Sequence, residues 1–223
     1  MLGYVYGMPK KLKSSARKSR RNKRIGVAAF VIVIIAISGV LAFVYSQPPS
    51  KSTPVVQGDV SLMVSWVDAT NTPRTGNITI RLRDDKPLTS GNFKNIVEQG
   101  LYDGSTFHRV IEGFMIQGGK VDTTINPISD EIGSDNHNLN GTVAMANAGA
   151  NTATSEFFIN VADNSNLYDT FDTTYTVLGT VIQGMDTVMA ISHVPVDDAT
   201  SQSPAPLKPV TIISAEVLPS SGS

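Results

Sequence analysis

The 223-residue chain contains no cysteine. Disulfide staples, thiol nucleophiles and thiolate metal ligation are therefore excluded, and the fold has to rest on its core. Acidic residues are missing from the whole amino-terminal quarter, since all nineteen Asp and Glu lie from Asp59 onward. Charge of either sign is absent from 25–45, twenty-one residues dominated by Ile, Val and Ala. The three histidines, His108, His137 and His193, are too scattered for metal-ligand spacing, so neither a metal nor a cofactor is expected. Gly118-Gly119-Lys120 lacks the spacing of a phosphate loop and reads as a bend at a strand end. No internal repeat is present.

What remains is unevenly distributed. Nine of the eighteen Lys and Arg fall between Lys10 and Arg24, directly before the uncharged run. At about 1.5 Å per residue, twenty-one helical residues span a hydrocarbon core of about 30 Å. We therefore read 1–24 as a basic cytoplasmic tail and 25–45 as a single transmembrane helix, with the positive-inside rule placing the rest of the chain outside the cytoplasm. A cleaved secretory signal is the rival reading, but such signals have an apolar core of about 7–15 residues and end in a small-x-small site, which Phe43-Val44-Tyr45-Ser46-Gln47-Pro48 does not offer. Ser19-Arg20-Arg21 is followed by Asn22-Lys23 rather than an apolar residue, which makes it a poor twin-arginine signal. Pro48, Pro49 and Pro54 mark 46–58 as a stiff Pro/Ser-rich linker. Beyond Tyr45, nine basic residues stand against nineteen acidic ones, a balance of minus ten that argues against nucleic acid as partner.

Residues 59–218 suffice for one domain with a sizeable interior, leaving 219–223 as a short tail. Strand-forming runs at 60–67 and 77–83, separated by turn formers at 68–76, predict an antiparallel pair. Thr89 or Ser90 is placed to cap a helix whose Phe93, Ile96 and Val97 share a face, and Gly100 to end it. Further strands are expected at 106–110, 114–117, 142–147, 157–161, 177–182 and 210–217, with a second helix at 185–191. Many short strands and two helices fit a mainly β, barrel-like architecture.

Two runs carry the chemistry. The first, Phe107-His108-Arg109-Val110-Ile111-Glu112-Gly113-Phe114-Met115-Ile116-Gln117-Gly118-Gly119, sets one arginine and one glutamine among apolar residues. At strand spacing Phe107, Arg109 and Ile111 should share one face and Met115 and Gln117 another. The second is Met145-Ala146-Asn147-Ala148-Gly149-Ala150-Asn151-Thr152 leading into Ser155-Glu156-Phe157-Phe158-Ile159-Asn160. Taken singly, Phe107, Phe114, Met115, Phe157 and Phe158 read as core fillers, and Arg109 alone would read as a surface salt-bridge residue. Asn77-Ile78-Thr79 and Asn140-Gly141-Thr142 match glycosylation acceptors, a common chance pattern.

Together the two runs resemble cyclophilins, the cyclosporin-binding peptidyl-prolyl cis-trans isomerases, over roughly 60–217. The resemblance implies a closed eight-stranded antiparallel barrel capped by two α-helices. It implies rotation of X-Pro bonds in proline-containing polypeptides, assisting protein folding outside the membrane, with Arg109 as the catalytic donor. Phe114, Met115, Phe158 and Leu167 would line a proline pocket, and Gln117 would orient Arg109 or the substrate carbonyl. Ala146, Asn147 and Ala148 would face the peptide, and His108 would sit beside the arginine.

Three positions depart from the family pattern. Glu156 stands where glutamine is usual, within expected reach of Arg109, where it could either pair with the guanidinium or hold its plane. Asn166 replaces an aromatic residue, which implies weak cyclosporin sensitivity, and Tyr175 replaces a histidine. The alternative function is a non-catalytic proline-peptide-binding or chaperone module of the same fold, with Arg109 tied up by Glu156.

Overall fold

Residues 58–165 and 170–219 are described by the structure, a computed structural model. The tail and apolar run assigned to 1–24 and 25–45, and all of the 46–58 linker except Gly58, lie outside the described residues, as do Asn166 and Leu167. No helix among the described residues is long and apolar enough to cross a membrane.

Strand β1 (Asp59–Val67) alternates buried and less buried residues and sends Val60, Leu62, Val64 and Trp66 inward. It pairs antiparallel with β2 (Pro73–Leu82), from Asp59↔Arg81 to Val67↔Pro73. The β2 strand begins four residues earlier than the turn formers implied. The reason is a tight turn in which Asp68 Oδ1 accepts the N–H groups of Thr70 and Thr72, each at 2.9 Å, while Asn71 takes a positive φ of 64°. Pro73 is tolerated at the strand's first position.

Helix α1 (Pro87–Glu98) buries Phe93, Ile96 and Val97, as its periodicity predicts. Its start differs from expectation. Lys86 is the N-cap and Pro87 opens the first turn, so Thr89 and Ser90 lie inside the helix. The orphan N–H groups of Leu88 and Thr89 are taken by the Glu131 carboxylate, at 3.2 and 2.7 Å, from a distant loop. Gly100, at φ 66°, ends the helix as expected.

Six further strands, β3 (Phe107–Ile111), β4 (Met115–Gly118), β5 (Thr142–Met145), β6 (Phe157–Asn160), β7 (Val177–Gln183) and β8 (Thr211–Leu218), complete one antiparallel sheet in the order β3-β4-β6-β5-β7-β2-β1-β8. The edges β3 and β8 meet at one bridge, Thr106↔Thr211, where Phe107 N–H donates to the Val210 carbonyl and Ile212 N–H to the Ser105 carbonyl. The eight strands thus form a half-barrel whose two edges are joined at one end. There are also three helices rather than two among the described residues: a single turn, α2 (Phe171–Thr174), precedes β7, and α3 (Met185–Ser192) follows it.

Inside the curve, β-strand side chains pack with Phe93 and Ile96 of α1 and Val188 and Ile191 of α3. Phe157 sits edge-on to Phe93, Tyr102 and Phe107, with ring centroids 5.1, 5.4 and 5.8 Å away. Such pairs contribute about 0.5–1.5 kcal/mol each beyond area burial. The fully buried Tyr102 hydroxyl donates to the Ser155 carbonyl at 2.7 Å, and burial pushes its pKa up.

Candidate active site

A β-bulge decides where the arginine goes. In the β3–β4 ladder Phe107 faces Gly118 and Arg109 faces Gln117, so His108 is an extra residue on β3. One inserted residue reverses the alternation. Phe107 consequently joins the inner core with Val110, while Arg109 and Ile111 face the opposite way; the expectation that Phe107 and Arg109 share a face fails at this bulge. No bulge interrupts β4, and Met115 and Gln117 share a face as expected.

That outer face is the floor of a groove of about 950 Å³. The neighbours across three strands are Arg109, Gln117 and Phe158, set side by side by the registers Arg109↔Gln117 and Gln117↔Phe158. One side of the groove is aromatic. Phe171 and Tyr175, on and just after α2, have ring centroids 4.7 Å apart; Phe158 stands perpendicular to Tyr175 at 5.4 Å, and Phe114 lies 5.6 Å from Phe171. With Met115 and Ala144 these rings form a second, smaller apolar cluster.

The aromatic wall is held from behind by buried asparagines. Asn136 Nδ2 donates to the Tyr175 carbonyl at 2.9 Å, and its Oδ1 accepts Val177 N–H at 2.8 Å. Asn160 Nδ2 reaches Asn138 Oδ1 at 3.2 Å, and Asn164 Nδ2 donates to Asn160 Oδ1 at 2.7 Å and to the Phe114 carbonyl at 2.9 Å. All four side chains are at most 4% exposed, so each amide satisfies backbone or side-chain groups that would otherwise be stranded.

The opposite side is polar. Arg109 Nη1 donates to Gln117 Oε1 at 3.0 Å and Nε to the Gln202 carbonyl at 2.9 Å. Among the described residues no protein group takes Nη2. Burial draws the Arg109 pKa below its ordinary value, with Tyr175 opposing. A guanidinium remains protonated under that influence, and a partly desolvated one is the stronger donor. Glu156 does not touch Arg109. Its Oε2 accepts Gln117 Nε2 at 2.9 Å and lies 3.3 Å from His108 Nε2, so the expected direct pair is replaced by a relay through Gln117. The His108 bond, chiefly, and the Gln117 bond hold the Glu156 carboxyl below its ordinary pKa against the effect of burial.

The groove brings together Arg109, Phe114, Met115, Gln117, Ala146, Asn147, Phe158 and Tyr175. Asn147 Nδ2 donates to the Thr174 carbonyl at 2.7 Å and ties its loop to the aromatic side. His108 and Ala148 are not among the lining residues: His108 lies against Glu156, and the exposed Ala148 gives its N–H to Thr152 Oγ1. The groove also holds Ile111, Asn164, Thr170, Phe171, Thr174 and Gln202, which sequence reasoning did not single out. Phe171 had a readable signal, an aromatic four residues before Tyr175. Gln202 had none, because it contributes a backbone carbonyl.

Residues 67–217 match the family model for cyclophilin type peptidyl-prolyl cis-trans isomerases. A peptidyl-prolyl cis-trans isomerase of Acinetobacter baylyi is 43% identical over 151 residues, covering 64% of this chain and 80% of that protein. Peptidyl-prolyl cis-trans isomerase A of Dickeya dadantii is 40% identical over 156 residues, 66% of this chain and 82% of that protein. Peptidyl-prolyl cis-trans isomerase B of Escherichia coli is 39% identical over 154 residues, 64% of this chain and 94% of that protein.

Proposed function

We infer that this chain, which belongs to the cyclophilin-type peptidyl-prolyl cis-trans isomerase family, is itself a peptidyl-prolyl cis-trans isomerase whose groove binds a proline-containing peptide segment. Rotation about an X-Pro bond is opposed by amide resonance, with a barrier of about 18–20 kcal/mol. No covalent step is needed. The twisted amide differs from either planar isomer in that its nitrogen lone pair is no longer delocalised, so a donor aimed at that nitrogen stabilises the transition state over the ground state. Arg109 Nη2 is the donor for this role, and Phe114, Met115 and Phe158 are the surface for the proline ring. Ala146 and Asn147 border the flanking peptide.

The observation that carries this reading is the juxtaposition of a partly desolvated guanidinium and an apolar aromatic wall in one groove. The binding-module alternative depends on a direct Arg109–Glu156 pair, and among the described residues Arg109 makes none. Exchange NMR on a short X-Pro peptide, without a coupling protease, tests the role of Arg109: R109A is expected to lose turnover, and an unchanged rate would end the assignment.

The anchored topology is part of the proposal. Its support is the uncharged 25–45 run preceded by nine basic residues, which would anchor the chain as a single-pass membrane protein with a closed, barrel-shaped isomerase domain outside the cytoplasm, acting on exported or membrane proteins. Protease added to intact cells should remove the domain, whereas full protection would overturn this orientation.

A further inference from the structure

We propose that Glu156 is a positioning residue for Arg109, acting only through the Gln117 amide. This rests on the isomerase reading and adds a residue to it. An ionised carboxylate accepts hydrogen bonds and cannot donate them. Because Glu156 Oε2 takes Gln117 Nε2 at 2.9 Å, the amide has one permitted orientation, with Oε1 toward Arg109 Nη1 at 3.0 Å. The three groups form one line of charge-assisted bonds, from carboxylate to amide to guanidinium, running from the residue just before β6 across β4 to β3.

Two of the guanidinium's three nitrogens are thereby spoken for, Nη1 by Gln117 and Nε by the Gln202 carbonyl. Those two contacts fix the guanidinium plane and leave Nη2 with a single direction. Losing the Gln117 contact would leave the group pivoting about the Gln202 bond. The effect should then fall on the step that needs an aimed donor rather than on peptide affinity. The titratable groups facing Glu156 are His108, whose Nε2 is 3.3 Å from the same oxygen, and Lys120, which acts at longer range. His108 belongs to the bulge that turns Arg109 toward the groove, so the residue that redirects β3 also braces the carboxylate.

The test is a double-mutant cycle on the full chain, read as kcat and KM from exchange NMR on an X-Pro peptide. E156A should lower kcat roughly tenfold, as expected for loss of a charge-assisted bond, with KM little changed. In a Q117A background the same substitution should have no further effect. E156Q retains an acceptor oxygen for Gln117, but its amide can also donate, so it fixes the Gln117 orientation less firmly and should lower kcat by a smaller factor than E156A. Equal factors for E156A in both backgrounds, no effect of E156A in the wild-type background, or an E156Q as slow as E156A would each overturn the proposal. If E156A does not fold, the E156Q comparison in both backgrounds decides: no fall in kcat, or a fall of the same size with and without Gln117, overturns the relay, and a fall confined to the Gln117 background supports it. A wild-type chain without turnover would instead remove the isomerase reading.

Discussion

Two faces of the same four short strands do different work. On β3 to β6 the inner face carries Phe107, Val110, Ile116, Val143, Met145, Phe157 and Ile159, sealed in the main core. The outer face of those strands carries Arg109, Ile111, Met115, Gln117, Ala144 and Phe158, which form the groove or pack behind it. Consecutive residues such as Phe157 and Phe158 therefore lie in the main core and in the groove respectively. The division follows from the two-residue period of a strand. It also shows why site residues alternate with core residues in the motif rather than standing as a block.

The sharpest way to break the comparison is to substitute the neighbours Phe157 and Phe158 separately. Truncating Phe157 leaves a cavity among Phe93, Tyr102 and Phe107, so F157A should cost about 3–5 kcal/mol in urea unfolding. R109A should behave oppositely, lowering kcat/KM by about 10²–10³ with little change in unfolding midpoint, on the scale of losing a preorganised transition-state donor. F158A should raise KM about tenfold, with a smaller stability loss than F157A, as a large pocket anchor would. A larger stability loss for F158A than for F157A would mean that the groove face is simply more core.

The smallest effect concerns pH. The Glu156 pKa is depressed in the folded protein, mainly by its bond to His108, from an ordinary 4.5. A depressed carboxylate contributes fully above its unfolded value and is lost as pH falls through the folded one, so that contribution persists at pH 4.5 and disappears below it. The kcat profile should show an acid limb below pH 4.5. In H108A the limb should move up toward 4.5, and E156Q should lack it. An unmoved limb in H108A would detach His108 from the relay.

Local patterning made much of this legible. The alternation in β1, the Phe93/Ile96/Val97 face of α1 and the Gly100 stop are short-range effects, and each is found where its pattern places it. The misses are also physical. Thr89 looked like a cap because the Glu131 carboxylate that bonds its N–H lies 42 residues away in sequence. The face of Arg109 was misassigned because a bulge is set by the partner strand's register, which no local pattern announces. The Glu156 contact was misplaced by one residue: reach along a strand was readable, but the interposed Gln117 depends on how β4 lies between β3 and β6.

Composition and short-range pattern were enough to establish a cysteine-free, mainly β domain, because side-chain alternation and turn preference act over a few residues; the resemblance of two runs to a known family is what singled out Arg109. Which face that arginine occupies, which group holds it and which aromatic wall it confronts were settled only by folding. Those outcomes depend on strand order, on the extra residue at His108 and on chain segments such as Gln202 and Phe171, brought from far along the sequence to within hydrogen-bond and ring-contact distance of the groove's side chains.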